Sequence, residues 1–174
     1  MPELPEVETI RKQLERYLLG KKIIKVSVSL PKMVKLSLFQ FKKVVQGSVV
    51  EAVKRRAKIL IIVLDNGWSL LIHLKLSGRL IYRESEEKIS FEDKKWNHLI
   101  YYFADGSLLL HNDLRQFGYV KAIPTERLEQ FFNGQRLGPE PLGESFTLSR
   151  FLEILTQRPK GKINSGCWGC QRKI

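Results

Sequence analysis

The chain's 174 residues suffice to bury one ordinary core with a small appendage. Against 18 Asp and Glu stand 30 Lys and Arg, a formal charge of +12 spread along the whole sequence. That excess favours a polyanionic partner, nucleic acid ahead of an acidic membrane surface. No stretch approaches the roughly 18 uninterrupted apolar residues of a membrane span, and the charged opening lacks the apolar stretch of a secretory leader, so the cytoplasm is the expected compartment.

Behind Pro2 and Pro5, the residues Val7, Ile10, Leu14, Tyr17 and Leu18 recur at helical spacing, and Gly20 stands where a left-handed cap belongs. The chain therefore opens on an amphipathic helix. The period then shortens: Lys22 to Ser29 alternates polar and apolar residues, and Val49 to Lys54 and Ile59 to Leu64 are β-branched and apolar enough to pair as strands. Asp65-Asn66-Gly67 is a tight turn into Trp68 to Leu74, and the design recurs in Leu99 to Phe103, Ala104-Asp105-Gly106 and Ser107 to His111. Ser85 to Lys95 is charged without an apolar period and reads as a loop, while Tyr119 to Ile123 adds a strand. Strands joined by short turns, with no crossover helices, imply an antiparallel sandwich.

Thr125 to Asn133 reads as a short helix ending near Gly134. Gly138-Pro139-Glu140-Pro141-Leu142-Gly143 then breaks the pattern, because neither proline donates a backbone hydrogen bond. Beyond it, Leu148, Phe151, Leu152 and Leu155 share a helical face behind a Ser145 or Thr147 cap, with nothing after them to bury against. The expected class is α+β: an N-terminal helix on an antiparallel β-sandwich over 1–136, a linker over 137–146, and the start of a helical domain over 147–174.

Several short motifs carry chemistry. Removal of Met1, usual before a small residue such as Pro, leaves Pro2 as a terminal secondary amine beside the carboxylate of Glu3. A terminal amine has a reference pKa of about 8 against about 10.4 for Lys, so more of it is free to attack an electrophilic carbon and form a Schiff base. Pro2 and Pro5 also serve simply to start a helix, and a functional terminus on a rigid helix satisfies both readings. Lys54-Arg55-Arg56-Ala57-Lys58 is either a basic edge against aberrant pairing or a means of aiming Lys58 rigidly at a phosphate or base. Leu76, in His73-Leu74-Lys75-Leu76-Ser77-Gly78-Arg79-Leu80, lies at a loop tip, where it packs locally or acts as an apolar wedge between bases. In Asn112-Asp113-Leu114-Arg115-Gln116-Phe117-Gly118, Arg115 and Phe117 point the same way if the segment is extended, one filling the gap of an extruded base and the other stacking. The two cysteines, Cys167 and Cys170, supply half of a structural zinc site and otherwise stand as free thiols.

In this order and spacing the chain resembles the formamidopyrimidine-DNA glycosylase and endonuclease VIII family of base-excision repair enzymes, and within it the formamidopyrimidine-DNA glycosylases. The resemblance runs from Pro2 to about Ile163, through PELPEVET, the RRAK block, HLKLSGRL, the DLRQFG block and LGPEPL. It implies a bifunctional glycosylase and abasic-site lyase of the bacterial cytoplasm, nucleoid-associated and monomeric. Its partner would be double-stranded DNA carrying oxidised purines or abasic sites. By position it implies Pro2 as nucleophile, Glu3 as proton donor or shuttle, and Lys58 as the active-site lysine that contacts DNA and assists strand cleavage. Leu76, Arg115 and Phe117 match the residues inserted into the duplex, with Leu76 standing where the family more often has Met. The family's DNA-contacting histidine falls at Trp96, not His98, and Arg158, Lys160 and Lys162 match a phosphate-binding stretch.

After Ile163 the family pattern stops. The family continues through a helical DNA-binding region into a four-cysteine zinc finger, whereas here Asn164-Ser165-Gly166-Cys167-Trp168-Gly169-Cys170 leads to a basic end at Ile174. The helical domain is thus expected to be a truncated remnant with an atypical tail, as a frameshift or premature stop would leave. No cofactor is expected in this chain, and repair activity is expected to be impaired. The alternatives are a catalytically inactive DNA-binding fragment or a non-functional truncated gene product.

Overall fold

A computed structural model describes residues 2–90, 94–135, 137–141, 143 and 146–156. Helix α1 spans Leu4–Leu18, with Pro5 in its first turn, and buries Leu4, Val7, Leu14 and Leu18 along one stripe. Gly20, at φ +75°, donates from its amide to the carbonyl of Val50 at 2.9 Å and turns the chain directly into the first strand, a backbone conformation that a side chain would strain.

The strands are β1 Ile23–Val28, β2 Val50–Arg56, β3 Ile59–Leu64, β4 Trp68–His73, β5 Gly78–Arg83, β6 Asn97–Phe103, β7 Leu108–Asp113 and β8 Tyr119–Pro124. They form two four-stranded sheets, ordered β1-β6-β7-β5 and β2-β3-β4-β8, and every strand pairing is antiparallel. Every residue of β3 is buried, as are all but the first of β4, which is why these strands read as continuous apolar runs. The main core takes one face of that sheet, with Leu60, Ile62, Leu64, Leu70 and Ile72, and joins it to Leu99, Tyr101, Phe103 and Leu109 of the other sheet and to the α1 stripe. Helix and sandwich thus agree with the sequence reading.

The segment between β1 and β2, to which the sequence reading assigned nothing, forms a 3-10 turn over Pro31–Met33 and a helix α2 over Leu38–Val45. The Ser37 hydroxyl accepts the Gln40 amide at 3.3 Å, and Phe41 and Val45, four residues apart, enter the core. A second 3-10 turn, Glu86–Lys88, interrupts the charged loop, and Ile89 after it packs on Leu108 and Leu110.

The chain divides into two compact units, the first ending at Glu126. The second, from Arg127 onward, holds α3 Leu128–Asn133 and α4 Leu148–Thr156. The sequence boundary at 136 lies within this second unit. In α4 the Thr147 hydroxyl accepts the Arg150 amide, and Leu148 and Leu152 are exposed.

Tyr101 is buried in the core, its hydroxyl has no partner among the described residues, and burial pushes its ionisation upward. Replacing a partnerless buried hydroxyl with hydrogen removes a desolvation cost of about 1–3 kcal/mol and forfeits no bond. Tyr101→Phe is therefore expected to leave the urea midpoint unchanged or raise it, and a clear fall would reveal a partner for that hydroxyl.

Candidate functional site

Antiparallel register brings the sequence-predicted residues of the first unit to one end of the sandwich. There β2 turns through Ala57 and Lys58 into β3, β4 ends at His73, β5 and β6 start, β7 ends at Asp113, and β8 starts at Tyr119. Pro2 and Glu3 lie immediately before α1. The amide of Glu3 donates to Glu6 Oε2 at 2.7 Å, so a carboxylate on the first turn fixes the peptide unit that follows Pro2.

A charge-assisted bond set ties α1 to the turn before Lys58. Arg55 Nε donates to Glu8 Oε2 at 2.8 Å while its Nη1 donates to the carbonyl of Ala57 at 3.0 Å. Arg11 approaches the other oxygen of Glu8 at 2.9 Å and also reaches Glu15 and the carbonyl of Val53. Burial disfavours ionisation of Glu8, but hydrogen bonds from Arg55 and Arg11 outweigh it and hold the carboxyl below its ordinary value. Ala57 itself sits at φ +52°, and this left-handed turn directs the half-buried Lys58 into β3.

His73 faces the same end, opposite Ile59 in the β3–β4 register. Burial, then the charges of Lys75 and Lys58, push its pKa down to about 4, so the ring is neutral at pH 7. Its Nδ1 accepts the Lys75 amide at 3.0 Å, which leaves the proton on Nε2. A neutral donor between two lysines suits an anionic ligand such as a phosphate oxygen. Sequence reasoning placed His73 in a strand and gave it no role.

The two wedge segments meet. In the first, Lys75 at φ +54° precedes Leu76, and Gly78 follows so tightly that a Cβ there would lie 2.4 Å from the carbonyl oxygen of Leu74. In the second, Gln116 turns at φ +57°, so the segment is not extended. The Arg115 guanidinium nevertheless lies over the Phe117 ring at 5.3 Å, because the turn folds one residue back toward the other. Asp113 joins the segments, accepting the Ser77 hydroxyl and the amides of Arg115 and Gly118. Leu76 is 43% exposed and Phe117 54%, and Leu114, which the sequence reading left aside, is 55% exposed. Three solvated apolar side chains and the Arg115 cation, carried on two loops that Asp113 joins, make an exposed apolar patch.

Trp96 adjoins this patch: its carbonyl accepts the Asp113 amide at 3.0 Å, and Lys95 Nζ lies over its ring at 5.1 Å. His98 is buried, with Nε2 on the Asp113 carbonyl at 3.0 Å. Arg158, Lys160, Lys162, Cys167 and Cys170 lie outside the described residues. Among the described residues no group of three or more His, Cys, Asp or Glu side chains could hold a metal ion, and no helix is long and apolar enough to cross a membrane.

Residues 1–120 match the family model of the formamidopyrimidine-DNA glycosylase N-terminal domain. A formamidopyrimidine-DNA glycosylase of Streptococcus mutans is 38% identical over 160 residues, covering 92% of this chain and 57% of the relative. One from Pelotomaculum thermopropionicum is 39% identical over 164 residues, covering 94% and 58%. Among solved structures, a Lactococcus lactis formamidopyrimidine-DNA glycosylase non-covalently bound to DNA containing an abasic site superposes with a TM-score of 0.79 at 33% identity. That match covers 90% of this chain and 58% of the other. A complex of the Lactococcus enzyme with DNA containing a formamidopyrimidine lesion gives 0.78 at 34%, covering 88% and 56%. The chain therefore spans less than two thirds of the length of these relatives.

The Glu8 pair carries a pH signature. A carboxyl whose pKa is lower in the folded than in the unfolded chain adds stability above the ordinary Glu range and loses it as pH falls through the folded value. The stability difference between this protein and Glu8→Gln is expected to be constant from neutral pH down to about 5 and to shrink below about 4. Denaturant titrations across that range measure it; a difference that grows on acidification would contradict the assignment.

Proposed function

This chain belongs to the formamidopyrimidine-DNA glycosylase family, and from that premise we propose that it acts on damaged DNA through Pro2. Its substrate is duplex DNA carrying an oxidised purine or an abasic site. The observation that supports this most is the convergence of the α1 terminus, Lys58, the neutral His73 and the apolar patch at one end of the sandwich.

Once Met1 is removed, the Pro2 nitrogen is a secondary amine whose lone pair attacks the sugar C1′. On a damaged nucleotide the base departs with the C1′–N bond electrons, and a proton relayed through Glu3 neutralises it. At an abasic site the same attack on the aldehyde expels water. On the nucleotide the C1′–O4′ bond then breaks as the proline nitrogen gives up its proton and the ring oxygen gains one, so either route ends in an iminium, which draws electrons from the C2′–H bond. A base removes that proton, the C3′–O bond breaks, and the 3′ phosphate leaves; a second elimination releases the 5′ phosphate. Lys58 stands beside this chemistry as the cation that receives a phosphate and assists cleavage. His73 adds a neutral Nε2–H donor that needs no change of protonation near pH 7. The patch of Leu76, Arg115 and Phe117 enters the stack where the nucleotide leaves it, and Trp96, bonded through its carbonyl to the Asp113 amide, contacts the DNA beside it. No step calls for a cofactor.

Borohydride trapping on an abasic duplex tests this reading, because reduction joins protein to DNA only where an amine has formed an imine. The protein with free Pro2 is expected to be trapped, whereas Pro2→Gly or a short N-terminal extension should reduce trapping strongly. Trapping that ignores both changes would displace Pro2 from the mechanism, and binding without trapping would leave a DNA-binding module.

Affinity for undamaged duplex is expected to be electrostatic, given the +12 charge. It should fall at least about tenfold between roughly 50 and 200 mM salt, as phosphate contacts released against counterions do. Anisotropy titrations that show no salt slope would contradict an interface built on phosphate contacts.

A further inference from the structure

We propose that Asp113 is the positioning residue of the duplex wedge: its buried carboxylate ties the loop carrying Leu76 to the loop carrying Arg115 and Phe117, so that both enter DNA as one body. The inference rests on the DNA reading above and adds to it a residue with no exposed surface of its own.

Asp113 ends β7 opposite Gly78 and is 0% exposed. Its Oδ1 accepts the Ser77 hydroxyl from the first loop and the Arg115 amide from the second at 3.2 Å. Its Oδ2 accepts the Gly118 amide at 2.7 Å. The Arg115 amide is shared with Ser77 Oγ at 3.0 Å, which closes a small ring of bonds across the two loops. The backbone of Asp113 is committed as well, its amide to the Trp96 carbonyl and its carbonyl to His98 Nε2 and the Gln116 amide. Neutral donors thus satisfy a buried carboxylate that no cation among the described residues pairs with, and such a group tolerates the loss of none of them.

Two further observations point to the same node. Lys75 and Gln116 hold left-handed backbone conformations, which persist in non-glycine residues only where surrounding bonds over-determine them. Gly118 has no room for a side chain: a Cβ there would lie 2.9 Å from Asp113 Oδ2, 3.2 Å from His111 Nε2 and 3.3 Å from the His73 carbonyl oxygen. The second loop therefore returns directly onto the carboxylate. A wedge held this way is ordered before it meets DNA, so opening the duplex does not also have to order the loops.

Asp113→Asn keeps the shape and leaves one acceptor oxygen, so at least one donor loses its partner whichever way the amide turns. The assay follows 2-aminopurine placed beside an abasic site in a duplex, whose emission rises when its stacking is broken, with borohydride trapping on a single-stranded abasic oligonucleotide in parallel. Asp113→Asn and Ser77→Ala are expected to weaken duplex opening at least about tenfold. Single-strand trapping should stay at the level of the unaltered chain, and Ser77→Thr, which keeps the hydroxyl, should restore opening. Opening by Asp113→Asn equal to that of the unaltered chain overturns the proposal. So does a parallel loss of opening and single-strand trapping that Ser77→Thr fails to rescue, since that marks a role in folding alone. If the unaltered chain traps but never opens the duplex, the wedge is wrong and the Pro2 reading survives; if it does neither, the functional reading fails and the wedge with it.

Discussion

A guanidinium taken out of water must place its donors, and Arg55, whose side chain is 4% exposed, places two of them on different elements: the carboxylate of Glu8 and the carbonyl of Ala57. Packing alone could not set this geometry. The α1 stripe of Leu4, Val7, Leu14 and Leu18 is held by apolar burial, which is non-directional and would tolerate a shift of the helix along the sheet. The planar fork of Arg55 is directional, and it fixes the helix that carries Pro2 and Glu3 relative to the turn that carries Lys58. Arg11, shared between Glu8, Glu15 and the Val53 carbonyl, supports the same register from the helix side.

Backbone strain is distributed in the same pattern. The described residues include three non-glycine positions with positive φ: Ala57 before Lys58, Lys75 before Leu76, and Gln116 between Arg115 and Phe117. Left-handed backbone in a residue with a Cβ costs about 1–3 kcal/mol, and it persists here at each of the turns that present a proposed functional side chain. The antiparallel sandwich supplies the rigidity to hold it, since the β3–β4 and β5–β7 ladders that adjoin these turns run in unbroken register. Glycine would relieve the strain but would also loosen the turn in the unfolded and folded chain alike.

Much of the fold was legible because burial imposes a period. Both central hairpins fell where alternation met Asp65-Asn66-Gly67 or Ala104-Asp105-Gly106, and α1 followed from its 3.6-residue stripe. Helix α2 escaped although Ser37 and Gln40 carry the cap, because eight residues with two buried positions give too short a pattern to stand out. The site was legible in a different way. PELPEVET, RRAK, HLKLSGRL and DLRQFG singled out Pro2, Glu3, Lys58, Leu76, Arg115 and Phe117 as candidates through resemblance, whereas the residues that hold them gave no local signal. Glu8 and Arg55 are separated by 47 positions, and Ser77 and Asp113 by 36, so only the folded register brings them together. An extended Arg115 to Phe117 was the natural reading of alternation, and Gln116 departs from it because the Asp113 bonds on either side pull the chain into a turn.

The charge is arranged as selectively as the strain. Away from the site end, Lys21 is paired with Asp105 and Lys88 with Glu84, so those cations are partly neutralised by carboxylates. At the site end Lys75 lies over the Tyr119 ring and Arg115 over Phe117, and no carboxylate among the described residues pairs with either. An aromatic face orients a cation without cancelling its charge, which stays available to a phosphate. The one fully buried carboxylate among the described residues, Asp113, is occupied by neutral hydroxyl and amide donors, so it does not bind the cations beside it. The proposed role of receiving a polyanion needs both conditions together, cations held in place and carboxylates otherwise engaged, and the hydrogen bonds of Asp113 satisfy the second while the rings of Tyr119 and Phe117 satisfy the first.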